Sequence, residues 1–215
     1  MTVNLIKNYK NCFSNKYFVW SSVFGFVFLV ISLTITSAAI MLATEKQNNT
    51  VTDIILSNIP AYNLANFFVY GAFALVIFTL FIVLIKPERF PFVSKSISVF
   101  YLTRSLFMNL THLAPYPDIV STNANILNKL TIGGDLFFSG HTGFPFLLAL
   151  IFWQEKKLRY LFLILSVFFG TISLLGHYHY TIDVLSAFFI AYGVYHFCAK
   201  IFKKDHKILL NGVQN

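Results

Sequence analysis

The chain has 215 residues, 57% of them hydrophobic and only 11% charged. Soluble domains carry about 25% charged residues, so this composition excludes a soluble globular protein and indicates a one-domain integral membrane protein. The formal net charge is +8, but no nucleic-acid-binding motif accompanies it, and a basic face against anionic lipid accounts for it.

Charge-free apolar runs predict an all-α bundle of six transmembrane helices. A basic tail, residues 1–16, carries Lys7, Lys10 and Lys16. The first span covers residues 17–44, too long for a signal-peptide core of about 7–15 residues and long enough to cross with tilt. The second covers 62–85; the third, 96–116, is interrupted by Arg104. The fourth runs over 136–154, the fifth over 160–176 and the sixth over 179–199. The membrane domain thus spans 17–199, followed by a basic tail over 200–215.

With the N-terminus in the cytoplasm, all 16 Lys and Arg except Lys46, Lys129 and Arg104 fall in cytoplasmic segments. That is the positive-inside asymmetry. Cys12 and Cys198 then both lie on the cytoplasmic side, where thiols stay reduced, and no zinc spacing joins them.

The opposite, outer side holds the chemistry. The connection over 117–135 leads into Gly133-Gly134-Asp135-Leu136-Phe137-Phe138-Ser139-Gly140-His141-Thr142. Just before the last apolar run stands His179-Tyr180-Thr181-Ile182-Asp183. Residues four apart share a helix face, so Asp183 is placed to hydrogen-bond the His179 ring, fix its tautomer and stabilise its charged form. Alone, such a pair also describes a histidine merely satisfied by its partner. Here His141 reaches the same depth from a neighbouring span, and ionisable groups inside spans tend to mark sites. Gly140 beside Ser139 removes bulk, so a phosphate can approach backbone N–H groups. Pro145 is expected to kink the helix below. This combination fits a phosphoryl site in which His179 is the nucleophile and His141 the general acid, then the base toward the acceptor.

These residues resemble the sphingomyelin synthase family, a branch of the lipid phosphate phosphatase superfamily. Gly134-Asp135-x3-Ser139-Gly140-His141-Thr142 and His179-Tyr180-Thr181-x-Asp183-Val184 carry the likeness, and Tyr101-x2-Arg104-x6-Thr111 looks like a third family motif. Val51-Thr52-Asp53 is similar to a family P-L-P-D element without its prolines. The resemblance covers about residues 51–196 and implies six spans with an outward-facing site. It departs where Gly133 stands for the usual cysteine and Phe188 for the usual tyrosine. Ile172 and Ser173 replace the Ser-Arg pair of the related monoester phosphatases, whose K-x6-R-P clamp is also missing. A dianionic phosphate favours bidentate arginines, and this site offers at most Arg104, so a singly charged diester suits it better.

Other candidates carry two readings each. Arg104 is a snorkelling arginine or a substrate-facing one. His177 is an interfacial histidine or binds substrate. Asp135 is the N-cap of the fourth span or holds His141. Asp53 is a solvated loop residue or orients a headgroup amine. Tyr178 and Tyr180 belong to an interfacial aromatic belt or to a cation–π cage around choline. Thr111 and His112 read as helix-packing polar residues.

Function is then expected to be transfer of a phosphocholine-like headgroup from a membrane glycerophospholipid to a lipid alcohol, ceramide or diacylglycerol, through a phosphohistidine. No carboxylate cluster suggests a metal, and no cofactor is implied. Lipid phosphatase or phospholipase C-type hydrolysis on the same fold is the alternative, and a lipid transporter or scramblase is the non-enzymatic one. Short loops and the Lys, Asn, Ile and Phe richness suggest a bacterial plasma membrane.

Overall fold

The computed structural model describes residues 2–117 and 136–213, with side chains from residue 6 onward. Among the described residues the chain is helical: α1 (Thr2–Ser14), α2 (Lys16–Glu45), α3 (Ala65–Ile85), α4 (Phe90–Leu110), α5 (Gly140–Ile151), α6 (Lys156–Leu175), α7 (Thr181–Ile201) and α8 (Lys203–Asn211). Short 3-10 turns occupy Leu56–Asn58 and Pro87–Arg89.

Four of these helices, α2, α3, α6 and α7, are long and apolar enough to cross a membrane. They expose large apolar side chains such as Phe73, Ile77, Ile164 and Phe189, as an integral membrane protein must where it meets lipid. The other two expected spans differ from the sequence reading, for a shared reason. α4 has 21 residues, but Ser94, Lys95, Ser96, Ser98, Arg104 and Ser105 are buried along it. Its polar groups turn into the bundle, away from lipid. α5 has only 12 residues, about 18 Å of rise against a hydrocarbon core of about 30 Å. Residues 136–139 leading into it are not helical, and most of its own side chains are buried. A helix enclosed by its neighbours has no lipid to match in length.

Packing is densest between α2 and α4. The buried positions of α2 are Phe18, Ser21, Gly25, Ser32, Thr36, Ala39 and Ala43; all but Phe18 are small, on one face at spacings of three, four or seven, and let two backbones approach. The Thr36 and Ser105 hydroxyls bond at 2.9 Å, and Asn109 Nδ2 donates to the Ala39 carbonyl at 3.2 Å.

The bundle has two chemically different ends. One gathers α1, the Pro87–Arg89 turn and α8. The tails expected over 1–16 and 200–215 are therefore helical in large part. Asn15 starts α2 there, its Oδ1 accepting from Phe18 N–H at 3.1 Å. Ion pairs fasten this end. Arg89 bonds both Glu155 oxygens, at 2.6 and 2.7 Å. Lys95 Nζ lies 2.6 Å from Asp205 Oδ2, with both side chains buried. Asp205 Oδ1 accepts from Ser21 at 2.6 Å and from Tyr17 at 3.0 Å. The other end gathers the loops around Asn49, Asp53, Leu113 and Tyr180, and it holds both histidine motifs.

Candidate active site

α6 ends in a turn that sets the site. His177 N–H donates to the Leu174 carbonyl at 3.0 Å and Tyr178 N–H to the Ser173 carbonyl at 2.9 Å. This is the paired closure that usually places glycine at the left-handed position. Here His177 occupies it, with φ +55°, a conformation costing a non-glycine residue about 1–2 kcal/mol. Gly176 serves another need: a Cβ there would collide with the Tyr178 ring. That ring is buried, and its hydroxyl accepts from Leu64 N–H at 3.2 Å at the start of α3.

His179 lies one residue before the α7 N-cap, Tyr180, so it is not on the helix as the sequence reading had it. The two side chains still meet, from loop to first turn: His179 Nδ1 is 3.5 Å from Asp183 Oδ2, within ion-pair reach of a protonated ring but without the expected hydrogen bond. The same Oδ2 accepts Tyr180 N–H at 3.0 Å, a third-position acid reaching back to the cap. Both side chains are buried, His179 at 3% and Asp183 at 0% exposure. With Nδ1 turned to the aspartate, Nε2 is the nitrogen left to face a substrate.

α5 brings the second histidine. Ser139 is its N-cap and is fully buried, its Oγ accepting from Thr142 N–H at 3.4 Å and from Thr142 Oγ1 at 3.1 Å. His141 sits on the first turn, stacked on Phe68 of α3 with ring centroids 3.6 Å apart. Its ring centroid is 6.5 Å from that of His179, and Phe68 stands 6.2 Å from His179 as a shared aromatic wall. Ser139 N–H donates to the Asp183 carbonyl at 3.0 Å, tying the two motifs backbone to backbone.

Arg104 comes from α4 and is buried. Its Nε donates to the Phe138 carbonyl at 2.8 Å. The guanidinium lies against Gly140, where a Cβ would sit 3.0 Å from Nε and 3.2 Å from Cζ; glycine is what admits it. Arg104, Gly140 and His141 form the polar end of a cavity of about 150 Å³, whose other walls include Thr36, Val76, Tyr101 and Phe144. A second, apolar cavity of about 220 Å³ shares Val76, Tyr101 and Phe144 with it and runs on between α2, α3 and α4 to Val83 and Phe90. Among the described residues no group of three or more metal-ligating side chains converges.

The remaining candidates change character. Asp53 is buried, not a solvated loop residue. It accepts from Thr181 N–H at 2.6 Å, Thr181 Oγ1 at 2.8 Å, Ile55 N–H at 2.9 Å and Leu56 N–H at 3.1 Å. Burial raises its pKa, and the bonds from Thr181, Leu56 and Ile55 outweigh that, leaving the carboxyl below its ordinary value. Tyr178 and Tyr180 do not form a lipid-facing belt, since both are buried. The Tyr180 hydroxyl donates to the Ala114 carbonyl at 2.9 Å and accepts from Val51 N–H at 3.3 Å. His177 is 2% exposed, so it is not interfacial either. Thr111 and His112 are exposed at the end of α4, where Thr111 is the C-cap and its Oγ1 donates to the Phe107 carbonyl at 3.4 Å. Asp135 lies outside the described residues. Sequence reasoning missed Phe68; among 26 Phe nothing in its spacing singles it out.

Residues 133–200 match a family model described as PAP2 superfamily C-terminal. The matched stretch contains His141, His179 and Asp183 and makes this part of the chain similar to the lipid phosphate phosphatase (PAP2) superfamily. No curated protein and no solved structure matches the chain.

Proposed function

We propose that this integral membrane protein is a lipid phosphotransferase, moving a phosphoalcohol headgroup from a glycerophospholipid to a lipid alcohol in the manner of the sphingomyelin synthases. The observation that carries the reading is the 6.5 Å between the His141 and His179 rings. Rings at that spacing can stand on either side of one phosphoryl group, a nitrogen of one about 3 Å from phosphorus and a nitrogen of the other about 3 Å from the leaving oxygen.

In the first half-reaction His179 Nε2 attacks phosphorus and the bond from phosphorus to the diacylglycerol oxygen breaks. His141 gives that oxygen its proton, and diacylglycerol leaves. In the second, the hydroxyl oxygen of the acceptor attacks the phosphohistidine and passes its proton to His141. The N–P bond breaks and its electron pair returns to His179. Asp183 stabilises the charged ring, and Arg104 beside Gly140 offers positive charge to a non-bridging oxygen. One arginine suits a diester, which carries a single negative charge. The apolar cavity adjoining the site gives an acyl chain a place along α4.

In this proposal α4 and α5 complete six crossings, and the basic end faces the cytoplasm. The site then faces outward, across a bacterial plasma membrane.

The test offers purified protein phosphatidylcholine labelled in the headgroup, with ceramide and diacylglycerol in turn, beside His179→Ala. Label in a new lipid with wild type alone supports transfer. Free phosphocholine alone replaces transfer with hydrolysis, and inorganic phosphate from phosphatidic acid points to the phosphatases. Lipid movement that survives His179→Ala, with no turnover, favours a transporter.

A further inference from the structure

Among the described residues, seven buried side-chain nitrogen or oxygen atoms lack a hydrogen-bond partner, and four belong to His177, His179 and Asp183. Both ring nitrogens of His177 are in that group. Buried polar groups nearly always find partners, and a cluster that does not requires a cause. His177 also holds the left-handed backbone position at φ +55°, where glycine would be at ease. Its ring meets Tyr116 edge to face, with centroids 5.2 Å apart, and that contact gives neither nitrogen a hydrogen-bond partner. Packing and backbone preference both argue against histidine here, and strain of this kind clusters at ligand sites.

A neutral imidazole presents one N–H donor and one bare nitrogen acceptor. A phosphodiester oxygen only accepts, whereas an alcohol hydroxyl donates. We infer that His177 is a substrate-binding residue that bridges the two reactants, its N–H to a non-bridging phosphoryl oxygen and its bare nitrogen to the hydroxyl of the acceptor alcohol. The inference rests on the phosphotransferase reading and sharpens it: His177 selects an alcohol acceptor over water and holds that hydroxyl near the phosphohistidine.

The experiment measures transfer of labelled phosphocholine to diacylglycerol, release of free phosphocholine, and thermal midpoint for wild type, His177→Gly and His177→Asn. Glycine fits the backbone and removes both ring contacts. Asparagine tolerates the left-handed region and restores a donor and an acceptor. The expected result for His177→Gly is an apparent KM for diacylglycerol raised about tenfold, the worth of one hydrogen bond. Its kcat stays within about threefold, a larger share of product is free phosphocholine, and its thermal midpoint does not fall. His177→Asn regains at least part of the KM.

An unchanged KM in His177→Gly overturns the assignment while leaving the transferase reading intact. Loss of activity that follows a lowered thermal midpoint in both variants also overturns it, because that is the mark of a structural residue. A wild type that turns over none of the lipids removes the premise, and the assignment with it.

Discussion

The backbone N–H of Ser139 donates to the backbone carbonyl of Asp183 at 3.0 Å. This bond joins the N-cap of α5 to the first turn of α7, so the two histidine motifs are held by main chain and not only by the groups that react. Asp183 works in three directions: its carbonyl takes Ser139, its Oδ2 caps Tyr180 N–H, and the same oxygen faces His179 Nδ1. Replacing it with Asn keeps the shape and removes the charge that supports a protonated ring. Asp183→Asn is expected to lower kcat by about 10⁴-fold with little change in KM, as steady-state kinetics on labelled phosphatidylcholine will show.

Gly140 and Arg104 form a second dependence. A Cβ on Gly140 would press the guanidinium from 3.0 Å. Gly140→Ala favours the helix by up to about 1 kcal/mol, so the thermal midpoint is expected to hold or rise. Displacing Arg104 weakens the hold on phosphate, and KM for the phospholipid is expected to rise about tenfold, the scale of one charged hydrogen bond. Measuring both quantities on one preparation separates the effects.

Asp53 supports the site from outside it by capping α7. Because its folded carboxyl lies below its ordinary value, its contribution is present above the unfolded pKa of about 3.9. It is lost as pH falls through the lower, folded value. Asp53→Asn turns an amide donor toward one of its donors and is expected to cost about 1–2 kcal/mol at pH 7. Thermal midpoints of wild type and variant are expected to converge as pH is lowered below 4.

At the basic end, Asp205→Ala leaves Lys95 buried without its charge partner. The expected loss is about 3–5 kcal/mol, and replacing both residues with apolar ones of similar size is expected to restore most of it. Turnover per folded molecule should stay near wild type in the double variant, since neither side chain lines the cavity that contains His141 and Arg104.

The helical class and the membrane setting were legible in the sequence because they rest on composition, and the approach of His179 to Asp183 because it rests on local spacing; the nearness of His141 to His179 came instead from threading the spans and from the family resemblance. α4 and α5 were harder. A hydropathy run does not distinguish a helix that faces lipid from one enclosed by others, and Lys95 and Arg104 on α4 are satisfied by neighbours that only the fold supplies. His179 was placed on a helix because the i, i+4 rule does not reveal that Tyr180 is the cap. Asp53 read as a loop residue, since its partner Thr181 is 128 positions away. Tyr180 likewise reaches Ala114 across 66 positions. Phe68 left no trace at all, because stacking on His141 depends on where α3 leans.

The most direct test is covalent. Protein given headgroup-labelled phosphatidylcholine without an acceptor, then quenched in alkali, is expected to carry the label on His179, to lose it in acid, and to carry none as His179→Ala. Transfer that proceeds at the wild-type rate with no label on any residue, or with label on a residue other than His179, would contradict the phosphohistidine route.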